Sequence, residues 1–266
     1  MSFLQTDNKD FLFNVNAGLI DGYEQIRKYG INPDCDTSTS PEYVWDGQFE
    51  YNYPTSNETI YLISSEILDT GIDVEVQGLI DNAGTWEVQT ITKSLNGTTA
   101  VLVGSFIRVL GMTITSSTSP VGIVQARTDT TYTAISTEAS IVNLRAQISL
   151  DTTNSNSRNT SNMAMYTVPS GKTAFIYKLY AGVGKNKDAE FDYQIRPSGG
   201  VFISSGIISM YQKSDQFELG YEIVEEKSDI RIAVYTENNN TKADASFHFI
   251  LVDNDKLWYN NTANYI

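Results

Sequence analysis

The chain has 266 residues and carries 18 Lys and Arg against 32 Asp and Glu, a formal charge of −14. Only 19% of residues are charged while 11% are aromatic, which excludes a disordered chain, because disorder needs high charge with few aromatics. The acidity, unrelieved by any Lys/Arg cluster, also argues against nucleic-acid binding.

Residues 1–54 are expected to form an extended arm. Gly18, Gly22, Gly30, Pro33, Pro41, Gly47 and Pro54 interrupt any long element and leave only a short helical possibility at Tyr23–Lys28. The segment is nonetheless aromatic. Phe11, Phe13, Trp45, Phe49, Tyr51 and Tyr53 have no period of their own and must lie against a surface, so they are candidate contact residues. From Thr55 the pattern becomes that of strands, and a first β module is expected over 55–140. Thr59–Ser64 and Ile72–Leu79 alternate, Asp81–Gly84 has turn chemistry, and Trp86–Leu95 follows. Asn96-Gly97 predicts a type I′ hairpin turn, in which both central residues take positive φ. Thr99–Val103 and Phe106–Thr115 are the return strands, with shorter ones at Ile123–Arg127 and Tyr132–Ser136.

A second β module is expected over 141–254. Asp151–Asn162 has no apolar residue and reads as a mobile surface loop. Strands are predicted at Met163–Val168, Thr173–Val183, Glu190–Ile195, Val201–Ser209, Gln216–Tyr221, Asp229–Glu237 and Ala243–Val252, separated by Gly-, Pro- and Asn-rich turns. The fold class is therefore all-β: an arm, two antiparallel modules of β-sandwich or jelly-roll type, and a tail over 255–266. Trp258 and Tyr259 in the tail join the candidate contact residues.

Catalytic and metal chemistry find little support. A lone histidine, His248, excludes a two-histidine metal site, and alternation puts it on one strand face with Ser246 and Ile250. Gly182-Val183-Gly184-Lys185 resembles a phosphate loop but precedes a strand, so no helix dipole serves it. Glu225, Glu226 and Asp229 read as a charged turn, although a glycosidase needs two carboxyls flanking a sugar. Asp253-Asn254-Asp255 lacks the glycine and distal Glu of a calcium loop. Cys35, the single cysteine, has no basic neighbour in sequence and no disulfide partner. No apolar run approaches the roughly 18 residues of a membrane span. The start, Met-Ser-Phe-Leu-Gln-Thr-Asp, lacks a leader pattern, so synthesis in a reducing cytoplasm is expected.

Three blocks carry a family resemblance. Gly30-Ile31-Asn32-Pro33-Asp34-Cys35-Asp36-Thr37 with Pro41-Glu42-Tyr43-Val44-Trp45-Asp46-Gly47 resembles the opening of a family of virion structural proteins of tailed bacteriophages, especially marine ones. Leu95–Val101 leading to Phe106-Ile107-Arg108-Val109 is similar to a second block of that family. So are Tyr166–Ala174, Arg196–Phe202 and Glu226–Ile230. Cys35 departs from the pattern, which has an aliphatic residue there. The resemblance spans about residues 30–254. It implies a particle component without enzymatic activity, a capsid decoration (cement) protein of the virion that bridges neighbouring subunits through its arms. Its implied partners are the major capsid protein or connector and tail subunits, and it would form a homo-oligomer with a trimer as the favoured form. No cofactor, metal, nucleic acid or membrane is implied. A neck, tail or fibre β-protein that binds a carbohydrate receptor through its tyrosines is the alternative.

Overall fold

The strand-period segments become long antiparallel ladders. The computed structural model describes residues 8–39, 41–151, 156–211 and 214–257. In chain order, helix α1 (Asn8–Asn16) precedes β1 (Tyr23–Cys35), β2 (Glu42–Tyr43), β3 (Glu58–Ser64), β4 (Thr70–Asn82), β5 (Thr85–Asn96), β6 (Val101–Phe106), β7 (Arg108–Ile114), β8 (Val124–Arg127) and β9 (Leu144–Ile148). Then follow β10 (Met165–Thr167), β11 (Lys172–Val183), β12 (Asp188–Arg196), β13 (Ile203–Tyr211), β14 (Ser214–Val224), β15 (Asp229–Thr236) and β16 (Thr241–Asp253). Among the described residues the chain is all-β apart from α1 and three short 3-10 turns, and its sheets are antiparallel and do not close into a barrel.

Four sheets make two sandwiches. In the first, β6-β3-β8-β9 packs on β5-β4-β7 around Ile60, Leu62, Val74, Val76, Phe106 and Val124. In the second, β1-β16-β11-β14 packs on β10-β15-β12-β13, with β2 added beside β15, around Ile176, Phe191, Tyr193, Val234, Phe247 and Phe249. Alternation supplies both cores: Ala243, Ala245, Phe247, Phe249 and Leu251 of β16 all point inward.

The expected arm differs most from the structure. Tyr23–Lys28 is not helical. It begins β1, which runs in register with β16 from Tyr23↔Val252 to Asn32↔Ala243, while the helix lies earlier, in α1. A full ladder of backbone hydrogen bonds outweighs the weak local helical signal. Residues 1–54 thus give the second sandwich a strand taken from the opposite end of the chain. Gly30 permits this, because a Cβ there would sit 2.0 Å from the Val44 carbonyl oxygen. β9 pairs with β8, so the first sandwich continues past the expected boundary at 140. Tyr132–Ser136 forms no strand. The described part of 151–162 is anchored: Ser161 donates its N–H to Met112 O at 3.0 Å, and Thr160 bridges Thr113.

The type I′ geometry appears one hairpin early. Ala83 and Gly84, between β4 and β5, both take positive φ (50° and 90°), and Asp81 Oδ1 accepts the Gly84 N–H at 2.7 Å. At the later turn Asn96 is not left-handed. Gly97 is the first central residue (φ 59°) and Thr99 N–H donates to Asn96 O, a type II′ pattern with glycine at its required place. That turn also crosses between sheets, since β5 and β6 lie in opposite layers.

Candidate assembly surfaces

The residues selected from sequence as contacts separate into three groups. Trp45, Phe49 and Tyr51 are buried in the core of their own chain, where the Trp45 indole N–H donates to Phe49 O at 2.7 Å and Trp45 meets Tyr51 edge-on at 5.5 Å. Tyr53 is half-buried, with the Arg196 guanidinium over its ring at 4.3 Å. These four are core and junction residues, because the second sandwich folds back to cover them. Phe11 packs with Tyr23 against Ile250 and Val252 on the outer face of the β16 sheet, beside a groove of about 390 Å³. Phe13 is 68% exposed. Trp258 and Tyr259 lie outside the described residues.

The conspicuous block at 30–47 is used internally. Asn32, fully buried, donates its amide N–H to Glu42 Oε2 at 2.7 Å, and Glu42 Oε1 accepts the Asp36 N–H at 2.8 Å. Asp46 Oδ2 accepts the backbone N–H of Asn162 at 2.6 Å; burial nevertheless pushes its carboxyl up to about 7, because desolvation outweighs those bonds. The block closes a loop and staples it to the segment entering β10.

A second staple fixes one sandwich on the other. Arg108 of β7 reaches Asp229 of β15 at 2.9 Å, Asp229 also pairs with Arg196 at 2.5 Å, and the Thr167 hydroxyl donates to it at 2.5 Å. Arg108 and Asp229 are buried. Trp86 and Tyr53 lie within 5.0 and 5.3 Å of the Arg108 guanidinium. Ser170 and Trp86 clamp the two modules again through reciprocal bonds of 2.7 and 2.9 Å. Nearby, Lys28 Nζ donates to Leu110 O at 2.5 Å across the same junction, and desolvation lowers its ammonium to about 8. Of the Glu225, Glu226 and Asp229 carboxylates, Asp229 holds the modules together.

Each module presents an apolar surface that the sequence reading missed. On the first, Ile67 (71% exposed), Leu68 (78%) and Val121 stand out from two adjacent loops. Asp69 beneath them is buried and accepts bonds from Ser64 Oγ (2.5 Å), Val121 N (2.8 Å) and Gly122 N (3.0 Å). Its carbonyl accepts the Gly97 N–H at 2.8 Å. A buried carboxylate satisfied by both loops keeps the apolar side chains facing outward instead of letting them collapse. On the second, β13 exposes Ile203, Ile207 and Tyr211, and β14 exposes Tyr221 and Ile223. The available signal was composition: β13 has no charged residue.

The other candidates have structural roles. His248 is half-buried on the outer sheet face, and desolvation, with Arg27 and Lys178 beside it, lowers its pKa. Asp253 pairs with Lys172 at 2.5 Å, and Asn254 accepts the Thr173 hydroxyl at 2.7 Å. Gly182 and Val183 end β11, and Gly184 and Lys185 begin a connection that crosses to β12 in the opposite sheet and so is not a hairpin turn. Cys35 is buried and its thiol is pushed up by desolvation. Among the described residues no three His, Cys, Asp or Glu converge on a metal position, and no helix is long and apolar enough to cross a membrane. Tyr211 and Tyr235 flank a depression of about 160 Å³ with Asp188 and Glu190, small beside the roughly 300–1,000 Å³ of ordinary ligand pockets.

No family model and no curated protein matches the chain. Among solved structures, the tobacco streak virus coat protein is 15% identical with a TM-score of 0.20, covering 32% of this chain and 63% of that one. The VP2 subviral particle of infectious bursal disease virus is 10% identical with a TM-score of 0.24, covering 92% and 78%. A putative secreted protein of Parabacteroides distasonis is 11% identical with a TM-score of 0.19, covering 88% and 90%. All three TM-scores lie far below the level at which a shared fold is established.

Proposed function

We propose that this protein is a non-enzymatic structural component of a bacteriophage particle, a capsid decoration protein that bridges neighbouring subunits. One observation carries the reading: each sandwich bears an exposed apolar surface, and the Arg108–Asp229–Arg196 junction holds the two in fixed relation. Two contact sites on one rigid body raise each other's effective concentration, which is how a bridging subunit gains avidity. The phage assignment rests on the resemblance of the 30–47, 95–109 and 166–230 blocks. Bridging falls to the module surfaces, since the described part of the arm folds onto its own body. The net charge of −14 suits an outer position away from packaged nucleic acid. The test is incorporation. Particles assembled with a Leu68→Ser, Ile207→Ser double variant should lose the protein and become less resistant to heat; unchanged occupancy contradicts the reading. The carbohydrate alternative would use Tyr211 and Tyr235, and a glycan array without binders removes it.

A further inference from the structure

Strand β13 reads Ile-Ser-Ser-Gly-Ile-Ile-Ser-Met-Tyr, with neither charge nor proline. Among the described residues it is the last strand of its sheet and pairs with β12 alone. Such an edge presents a row of backbone N–H and C=O groups that another strand can take up, and proteins usually block it with Lys, Pro or inward charges. The neighbouring edge, β14, follows that habit, carrying Asp215, Glu218 and Glu222. In a chain of charge −14, β13 is a stretch along which two copies can meet without opposing carboxylates.

We propose that β13 pairs antiparallel with β13 of a second copy about a two-fold axis, joining the two sheets into one. The symmetry restricts the register. Directly opposed residues must point to the same face, and adjacent residues in a strand point to opposite faces, so the axis must pass through a residue paired with itself. A register shift between Gly206 and Ser204 marks a bulge at Ser205, and the regular segment is therefore Gly206–Tyr211. An axis at Ile208 sets Ile207 against Ser209 and leaves Tyr211 without a partner. An axis at Ser209 sets Ile207 against Tyr211 twice, an aromatic–β-branched pair on the exposed face. Ser209 is thus the self-paired residue. The carboxylates on that face, Asp188, Glu190 and Asp192, lie one strand inward, opposite Tyr211, Ser209 and Ile207. Across the axis each of them stands three strand spacings, roughly 14 Å, from a carboxylate of the second copy, beyond the screening length of about 8 Å at physiological salt.

This contact uses the β13 surface that the proposed function assigns to bridging, and sedimentation of the isolated chain tests it apart from any particle. It also differs from a trimer, which a two-fold edge does not build. The experiment is sedimentation of the purified full chain, with oxidative cross-linking of Ser209→Cys. Cys35 is buried and leaves the introduced thiol as the reactive one. The expected results are a mass of two chains, tightened by added salt, and a disulfide-linked dimer of Ser209→Cys that an exposed control, Ser56→Cys, does not give. Ile207→Lys should weaken the dimer at least about tenfold, close to 1.4 kcal/mol. A monomer or trimer at micromolar concentration, or Ser209→Cys cross-linking no faster than Ser56→Cys, overturns the proposal. Should Ile207→Lys not fold, the cysteine pair decides alone.

Discussion

The segment from Tyr43 to Tyr53 and the strand β13 look alike in sequence in one respect: both are rich in large apolar side chains. Their fates are opposite. Trp45 and Tyr51 are covered by their own chain, whereas Ile207 (63%) and Tyr211 (66%) face solvent. Apolar composition identifies a surface that must be covered; only topology says by whom. The first segment lies where β2 adds to β15 and both cores meet, so the chain covers it. The second lies at an edge beyond which the described chain places no further strand.

That contrast makes the junction the place where substitution costs stability. Asp229→Ala leaves Arg108 buried without its counter-charge and should cost about 3–5 kcal/mol in denaturant unfolding. A loss below about 1 kcal/mol would mean that water reaches the junction and the modules are not locked. Asp46 gives a pH test of the same region. Its folded carboxyl sits at about 7 against 3.8 when exposed. The folded state therefore binds more protons between those values, and stability falls as pH rises through the window. Asp46→Asn should add about 2–4 kcal/mol at pH 8 and nearly nothing at pH 4; an equal effect at both would remove the cause assigned here. Lys28 runs the other way. Held at about 8 against 10.5, it makes the unfolded state the better proton binder between those values, so stability should rise with pH there, and Lys28→Met should flatten that slope.

Much of this architecture was legible in the residues. β16 and β13 of the second sandwich largely follow period-2 alternation, because only their inward face packs on the core, whereas β15 is buried on both faces and does not. The aromatic residues at 43–53 were recognised as needing a surface, but nothing local says that β1 would pair with β16 more than two hundred residues away. Tyr23–Lys28 carries a faint helical pattern and becomes a strand for that nonlocal reason. The patches were hidden for a different cause. The adjacent pair Ile67 and Leu68 and the residue Val121 are short apolar interruptions in loops, and only the Asp69 bonds show that they are fixed outward. The edge position of β13 likewise follows from sheet order, which no single strand encodes.

Smaller effects sharpen the contrast from the exposed side. Leu68→Ser and, at concentrations low enough for the chain to be monomeric, Ile207→Ser should each leave unfolding free energy within about 0.5 kcal/mol, so a larger loss would mark those side chains as covered by their own chain. Ala83 holds a left-handed conformation at the β4–β5 turn. Ala83→Gly should therefore gain about 0.5–1 kcal/mol, with a loss arguing that the turn is not type I′.

The most direct measurement is a side-chain-resolution cryo-EM map of particles that carry this protein. The account predicts density in which Ile67, Leu68 and Val121, and the β13 edge, abut neighbouring subunits, while Trp45 and Tyr51 stay inside their own chain. A map with those surfaces bare to solvent and residues 8–54 reaching into a neighbour would contradict it.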